Sequence, residues 1–359
     1  MTAETADLRP GYAISRVIKG GWQLAGDHGP VEPAAAIADM EAFLDAGITS
    51  FDCADIYTGV EEMIGSFISD VRKRRGAEIA DRVQVHTKLV PDLERLAELT
   101  ADEVEAIVDR SLQRLQIDRL HLVQFYWWDT SIGAPVKAME TLKRCQEKGK
   151  IAHLGVTNWD VKETAPYLDA GIDLVSTQVQ YSVLDRRAVK VLAPWGAAHD
   201  VQLLCYGTLA GGFLTENWLG KPDPGFQFEN RSLIKYRLII DEFGTWDRFQ
   251  TLLLLLNDIG RRHSVSLSSV ATRWVLQQSQ VAAAIVGARY ARHLPKTLEV
   301  FQFELDSEDL SRIDALLQTA PGPQGDVFGL ERDRNGRHGR IMKYNLNTNP
   351  NDAVHEIGR

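Results

Sequence analysis

The chain has 359 residues, and its 40 Lys and Arg against 49 Asp and Glu give a formal net charge of −9. Hydrophobic residues make up 44% and charged residues 25%, which is typical of a folded globular protein and excludes a largely disordered one. The acidic balance argues against nucleic-acid binding, because a protein that binds phosphates needs a positive field.

The lack of recognisable targeting signals and the pattern of cysteines indicate the cellular compartment. No apolar run approaches the roughly 18 residues that a membrane helix needs, and the charged first ten residues do not form a secretory signal. Cys53, Cys145 and Cys205 have the spacing of neither a disulfide framework nor a zinc site. We therefore expect a cytoplasmic protein without a structural metal, whereas its oligomeric state cannot be predicted.

Eight short runs of strand-forming residues are separated by segments with helical periodicity. The runs are residues 16–20, 48–52, 83–88, 120–125, 151–156, 174–179, 201–206 and 282–286. Among the intervening helices, one is expected to begin at the capping-box pattern of residues 100–103. Because parallel strands need crossover helices, this alternation predicts an α/β protein with a single (β/α)8 TIM barrel domain over residues 1–359.

Two segments interrupt the regular spacing. Residues 211–244 are rich in Gly, Pro, Asn and aromatics, which predicts a long loop after the seventh strand. On the catalytic face, such a loop is either a lid or cofactor clasp, or a mobile surface insertion. The C-terminal tail, residues 321–359, is rich in arginine, and we expect it to pack near the barrel mouth and meet anionic groups. The alternative is a solvated basic tail.

Polar residues follow the second and third strands, at the end of the barrel where enzymes of this fold carry their chemistry. Asp52 and Tyr57 follow one strand, and Lys88 ends the next. A phenol titrates at about pH 10, and a nearby cation lowers that pKa. We expect Asp52 to hold Lys88, and Lys88 to make Tyr57 a proton donor. Taken singly, the Lys–Asp pair and Tyr57 could both be structural.

These residues belong to a longer series of motifs. The series comprises Asp52-x-Ala54-Asp55-x-Tyr57, Thr87-Lys88, Gly155-Val156-Thr157-Asn158, Gln178-Val179-Gln180, Tyr206-Gly207-Thr208-Leu209-Ala210-Gly211 and Val286-Gly287-Ala288-Arg289. In order and spacing it resembles the aldo-keto reductases, from about Val17 to Leu305. The resemblance implies NAD(P)H-dependent reduction of an aldehyde or ketone, or the reverse oxidation of an alcohol. Hydride would come from C4 of the nicotinamide, with Tyr57 as general acid supported by Lys88 and Asp52.

The resemblance also implies a set of cofactor contacts. It assigns the nicotinamide carboxamide to Thr157, Asn158 and Gln178, and ring stacking to Tyr206. It assigns the pyrophosphate and adenosine to Gly207, Thr208, Leu209, Gly211 and Gly287. Arg231 and Arg289 could bind a 2′-phosphate, because guanidinium suits phosphate, although both could simply be solvated. We therefore expect NADP, with NAD as the alternative.

One position departs from the family pattern. The fourth strand usually ends with a catalytic His, but here Tyr126 stands at that position. A tyrosine can donate one hydrogen bond to a carbonyl oxygen, but it cannot supply positive charge near neutral pH. We expect Tyr57 and Tyr126 to form a two-phenol site with changed substrate preference or slower turnover. Alternatively, Tyr126 plugs the mouth, and the chain is a cofactor-binding regulatory protein with weak or no turnover, similar to potassium-channel β subunits.

Tryptophans near the strand ends are candidate substrate contacts. Trp22, Trp127 and Trp128 could form aromatic walls for an apolar or ring-shaped carbonyl compound, or for a sugar face. Indoles are also common in cores, and the neighbours Trp127 and Trp128 should point to opposite sides of an extended segment.

Overall fold

Most of the chain is described by a computed structural model, over residues 3–25, 29, 31–228, 230–287 and 289–347. Ala288 of the last motif and residues 348–359 of the predicted tail lie outside this set. None of the described helices combines the length and apolar character needed to cross a membrane.

The described residues form ten strands. They are β1 Thr5–Arg9, β2 Tyr12–Ser15, β3 Val17–Gly20, β4 Ser50–Asp52, β5 Gln84–Leu89, β6 Leu120–Phe125, β7 Ile151–Thr157, β8 Leu174–Gln180, β9 Gln202–Tyr206 and β10 Val281–Gly287. Strands β3 to β10 are parallel to their neighbours and follow chain order around a closed barrel, in which β10 pairs with β3. The predicted (β/α)8 TIM barrel is thus confirmed. Each barrel strand begins and ends within two residues of its predicted boundaries.

Helices connect the barrel strands, and three more follow the last strand. They are α1 Pro33–Asp45, α2 Val60–Arg75, α3 Ala77–Ala80, α4 Ala101–Leu115, α5 Pro135–Glu147, α6 Val161–Asp169, α7 Leu192–His199, α8 Arg231–Phe243, α9 Trp246–His263, α10 Leu267–Leu276, α11 Leu294–Leu298, α12 Ser307–Thr319 and α13 Gly329–Arg332. The predicted capping box is present at α4: Glu103 N donates to Thr100 Oγ1, and Thr100 N donates to Glu103 Oε2.

An antiparallel hairpin of β1 and β2 closes the N-terminal end of the barrel. Leu8 and Ile14 are buried in one cluster with Leu122 from the barrel interior. Tyr12 Oη lies 2.9 Å from His86 Nε2, which places His86 in the core, towards the end of the barrel opposite the carboxyl ends of the strands. Since this end is filled by apolar side chains, a ligand has to enter from the carboxyl ends of the strands.

The segment after β9 differs from its prediction. The described residues between 211 and 230 contain only short 3₁₀ turns, but the second half of the expected loop is helix α8. Asn230 caps this helix, since its Oδ1 accepts from Ser232 N at 2.7 Å. The second half of the helix is largely buried, including Leu238 and Phe243. The prediction of a loop was wrong here because the Gly and Pro residues before position 226 dominated the composition of the segment.

The described part of the C-terminal tail crosses the carboxyl end of the barrel. Val327 N donates to Asp160 Oδ2 at 2.7 Å. Glu331 is buried and accepts two hydrogen bonds from Arg187, at 2.9 and 3.1 Å. Arg187 is also bound to Asp185. These contacts hold residues 327–331 against the end of the barrel where the polar side chains lie.

Candidate active site

One cavity of about 530 Å³ lies at the carboxyl ends of the barrel strands. Its volume is within the range of small-molecule sites, roughly 300–1,000 Å³. All the predicted site residues line it except Trp127 and Arg289. The fold therefore brings into one place residues from β4, β5, β7, β8, β9 and the loops that follow them.

A buried ion pair forms the floor of this cavity. Lys88 Nζ donates to Asp52 Oδ1 at 2.9 Å, to Asp52 Oδ2 at 2.7 Å and to the Cys53 carbonyl at 2.8 Å. Burial is the largest single influence and lowers the pKa of Lys88, but the charges of Asp52 and Tyr57 and the hydrogen bonds to Asp52 together outweigh it, so the pKa is raised. Lys88 therefore stays cationic at neutral pH, and its position is fixed by the carboxylate.

Two amides complete the surroundings of Asp52. Asp52 Oδ1 accepts from Gln178 Nε2 at 2.6 Å and from Gln124 Nε2 at 3.3 Å. Gln178 Nε2 also lies 2.8 Å from Gln124 Oε1. The nitrogen of Gln178 is thus used inside the protein, whereas its Oε1 has no hydrogen-bond partner among the described residues. That oxygen is the part of the side chain that remains for a ligand.

Tyr57 lies beside the ion pair. Lys88 Nζ is 5.0 Å from the centre of its ring, and the ring of Trp22 is 4.9 Å away on another side. Burial raises the pKa of Tyr57 to about 12, although the charge of Lys88 acts in the opposite direction. Lys88 lowers the pKa of Tyr57 as expected, but desolvation of the phenolate outweighs the nearby ammonium, so the net shift is upward. Tyr57 is protonated at neutral pH.

Tyr126 carries a hydroxyl without a partner. Its Oη is buried and makes no hydrogen bond within the described part of the chain. The ring packs edge-on against Trp128, at 4.9 Å, and Phe328, at 6.0 Å. Burial raises the pKa of Tyr126, so the group is a neutral donor. Buried polar groups are rarely unpaired in proteins, and an unpaired one on a cavity wall marks a place where a ligand can bond.

A second polar group lies at the ends of β7 and β9. Asn158 adopts the left-handed conformation, with φ 58°, which Asn tolerates better than most residues. Its Oδ1 accepts from Tyr206 Oη at 2.7 Å. Thr157 Oγ1 donates to the Gln178 carbonyl at 3.2 Å. These bonds fix the Asn158 amide and the Tyr206 ring at the cavity wall.

The loop after β9 needs its glycines. Gly207 and Gly211 have φ of 72° and 65°, in the left-handed region. A Cβ at either position would lie 2.7 Å from an atom of Tyr236, which projects from α8. The glycines therefore let α8 approach the loop, and Thr208 and Leu209 between them line the cavity.

The tryptophans divide as their spacing predicts. Trp22 and Trp128 line the cavity, and their indole nitrogens donate to Ser232 Oγ and to the Pro91 carbonyl, both at 3.0 Å. Trp127 instead points into the core and donates to the Ile132 carbonyl at 2.9 Å. The expectation that Trp127 contacts the substrate is therefore wrong. Neighbouring residues of an extended segment face opposite sides, and Trp127 faces the core.

The two arginines predicted to bind phosphate, Arg231 and Arg289, lie in different surroundings. Arg231 lines the cavity, with its guanidinium 5.9 Å from the centre of the Trp22 ring. Arg289 lies outside the cavity lining, with its guanidinium 5.2 Å from the centre of the Tyr290 ring. An extended cofactor would have to leave the cavity beside β10 to meet Arg289.

Several lining residues were missed by the sequence argument. They are Ile56, Val90, Ser232, Leu233, Lys235, Tyr236, Phe328, Ile341, Met342, Lys343 and Leu346. Lys235 lies four residues after Arg231 on one face of α8, and it would have been identified if this segment had been predicted as a helix and not as a loop. The tail residues carry no comparable pattern, since their place depends on contacts such as Arg187–Glu331.

The cavity at the mouth of the parallel barrel is lined by amides and contains a phenol beside a buried Lys–Asp pair. These features identify the protein as a TIM-barrel enzyme. The sequence model of the Aldo/keto reductase family matches residues 16–318, so the chain belongs to this family of NAD(P)H-dependent oxidoreductases.

Individual relatives agree with this assignment. Aldo-keto reductase YhdN of Bacillus subtilis is 29% identical over 329 residues, which cover 89% of this chain and 95% of that protein. The chloroplastic pyridoxal reductase of Arabidopsis thaliana is 27% identical, over 79% and 76% of the two chains. Among solved structures, the glycerol dehydrogenase of Gluconobacter oxydans superposes with a TM-score of 0.73 at 24% identity, covering 90% of this chain and 98% of that one.

Proposed function

We propose that this chain reduces an aldehyde or ketone with NADPH and that Tyr57 is the proton donor. The observation that carries the proposal is the contact of Tyr57 with Lys88, whose ammonium is held by Asp52 on the cavity floor. When bound, NADPH supplies the hydride that reduces the carbonyl carbon. The chain's own residues bind the two reactants and deliver the proton.

Proton delivery needs a protonated phenol next to the carbonyl oxygen. As hydride reaches the carbon, the carbonyl oxygen gains negative charge and becomes a much stronger base than a phenolate. Tyr57, with a pKa of about 12, can therefore give its proton to that oxygen and become a phenolate. The ammonium of Lys88 stabilises the phenolate until solvent returns the proton.

Tyr126 supplies the second hydrogen bond. Its buried hydroxyl has no partner among the described residues, and it lines the same cavity as Tyr57. A donor aimed at developing oxyanion charge commonly contributes about 10²–10³ in rate. Tyr126 would thus take over the hydrogen-bonding role of the usual His without its positive charge.

The wall beside Tyr57 suits a nicotinamide cofactor. Gln178 Oε1 is without a partner among the described residues, and the nearby Asn158 amide is oriented by Tyr206. We assign the carboxamide to Thr157, Asn158 and Gln178, ring stacking to Tyr206, and the phosphates to the 207–211 loop, Gly287, Arg231 and Arg289. The cofactor in a solved relative from Klebsiella pneumoniae, 21% identical with a TM-score of 0.67, is NADP.

The substrate would lie between the aromatic rings and the C-terminal segment. Trp22, Trp128 and Phe328 line the cavity on the side of Tyr126 and Tyr57. These rings favour an apolar or ring-shaped carbonyl compound. We also assign the tail, which supplies Ile341 and Met342 to the lining, to closure of this part of the mouth.

The decisive experiment follows NADPH absorbance with a panel of aldehydes, and compares the wild-type chain with Tyr57→Phe. Turnover by the wild type that is lost in Tyr57→Phe, with unchanged NADPH binding, supports the proposal. Unchanged reduction by Tyr57→Phe would overturn the assigned proton donor. Tight NADPH binding without turnover of any aldehyde would favour a regulatory protein instead. Repeating the assay with NADH tests the cofactor preference.

A further inference from the structure

The described lining of the cavity contains more cationic than anionic side chains, although the chain as a whole is acidic. Its described charged lining residues are four cations and one carboxylate, namely Lys88, Arg231, Lys235, Lys343 and Asp52. Asp52 is paired with Lys88, and the described lining holds three further cationic side chains in a chain whose formal net charge is −9. Charges of one sign in a low-dielectric cleft concentrate their field and favour ligands of the opposite sign.

Lys235 is the cation whose surroundings are best defined. It lies one helical turn after Arg231 on α8 and projects into the same cavity. Its ammonium is 4.9 Å from the centre of the Tyr206 ring, and 5.6 Å from the centres of both the Tyr236 and Phe328 rings. Three aromatic faces thus hold the charged group in place.

The ammonium of Lys235 makes little use of its three N–H donors. Its one hydrogen bond goes to Tyr206 Oη at 3.4 Å, and within the described residues it forms no ion pair. The carboxylates that influence it electrostatically, Asp185 and Glu331, are both bound to Arg187. Burial lowers the pKa of Lys235 to about 8, which leaves it mostly cationic at neutral pH. Donors on the cavity wall are therefore available to a ligand.

The position of Lys235 favours the substrate over the cofactor phosphates. Its ring neighbour Phe328 packs edge-on against Tyr126, 6.0 Å away, and Tyr126 carries the unpaired hydroxyl. Its other neighbour, Tyr206, is bonded to Asn158 at the nicotinamide end of the proposed cofactor site. Lys235 therefore borders the part of the cavity where the carbonyl compound would react.

We propose that Lys235 binds a carboxylate on the substrate, so that the preferred substrates are carbonyl compounds that also carry an acidic group. This inference rests on the proposed reductase function. An ammonium–carboxylate bond in a partly desolvated site is strong and charge-assisted. A neutral compound of the same shape would offer the half-buried ammonium no charged acceptor, so the enzyme should discriminate against it.

The test compares 3- and 4-carboxybenzaldehyde with their methyl esters, which are neutral and of similar shape. We expect the wild type to have the lower KM for at least one acid, and Lys235→Met to raise that KM roughly 10- to 100-fold while the KM of the ester changes little. Met keeps the apolar stem against the three rings, and Lys235→Arg should restore part of the preference. Lys190→Gln, an exposed lysine outside the cavity, is the charge-matched control.

A binding measurement separates failure of this inference from failure of the reductase proposal. Benzoate, an unreactive probe, is titrated into each protein with and without NADPH, with tryptophan fluorescence as the readout because Trp22 and Trp128 line the cavity. Loss of benzoate binding in Lys235→Met supports the carboxylate site, even if no aldehyde is reduced. Equal KM values for acids and esters in the wild type overturn the inference while leaving the reductase proposal intact. If Lys235→Met weakens NADPH binding but leaves the preference for acids unchanged, Lys235 belongs to the cofactor site, and the inference is overturned as well.

Discussion

The ammonium of Lys88 lies within 2.9 Å of both carboxylate oxygens of Asp52, and both side chains are buried. Both charges are largely shielded from bulk water, so each depends on the other. Removing one partner of a buried pair leaves an uncompensated charge, which commonly costs about 3–5 kcal/mol. The pair therefore affects stability and catalysis in ways that a set of variants can separate.

We expect Lys88→Met to lower the free energy of unfolding by an amount in that range, because Asp52 is left buried and unpaired. The double variant Asp52→Asn/Lys88→Met should recover most of the stability, since no buried charge remains. Neither protein should recover carbonyl reduction. Urea unfolding and steady-state kinetics measure the two properties. A double variant with near wild-type kcat would contradict the role assigned to Lys88.

Tyr126 offers a test in which stability and activity move apart. Its buried hydroxyl has no partner among the described residues, so Tyr126→Phe should leave the free energy of unfolding unchanged or raise it slightly. The same change removes a donor to the carbonyl oxygen, and kcat should fall by about 10²–10³. Thermal denaturation and kinetics on one preparation give both values.

The companion variant Tyr126→His restores the residue usual in the family. If the missing positive charge limits turnover, Tyr126→His should be faster than the wild type and show a new ionisation near neutral pH in its kcat profile. If Tyr126 only plugs the mouth, Tyr126→Phe should retain wild-type kcat. Those results distinguish the two interpretations left open by the sequence.

The sequence predicted the barrel and most of the cavity floor because both follow local rules. A strand period locates each strand, and residues such as Asp52 and Lys88 follow from their places at the strand ends. The net pKa of Tyr57 could not be predicted, because it depends on how far the folded chain excludes water from the phenol. Nor could the contribution of Phe328, since it depends on Arg187 binding Glu331 144 residues away.

Stability should depend on pH through the histidine in the barrel core. Burial lowers the pKa of His86 from 6.5 to about 3, since the charged form is desolvated there. The folded state therefore favours the neutral ring. The resulting stability is fully present above pH 6.5 and is lost as the pH falls from 6.5 towards 3.

His86→Gln removes this ionisation and keeps a polar partner for Tyr12, whose hydroxyl lies 2.9 Å from His86 Nε2. We expect the stability difference between wild type and His86→Gln to change by several kcal/mol across that pH range. Urea unfolding at a series of pH values measures it. The exposed His199, changed to Gln, is the matched control. Parallel pH curves for wild type and His86→Gln would show that the core histidine has no such role.

The contact between Arg187 and Glu331 should govern the substrate side of the cavity. Glu331 is buried, and both of its oxygens accept from Arg187. In Glu331→Gln, Arg187 keeps Asp185 as a partner, so we expect the free energy of unfolding to fall by about 1–3 kcal/mol rather than by the full cost of an unpaired charge.

Phe328, three residues before Glu331, has a strained φ of 59° that depends on such anchoring. The variant should therefore raise KM for the aldehyde more than it lowers kcat. Asp81→Asn, which breaks an exposed pair with Arg72, should change stability by less than about 1 kcal/mol and leave KM unchanged. Equal effects of the two variants on KM would show that the tail does not shape the substrate site.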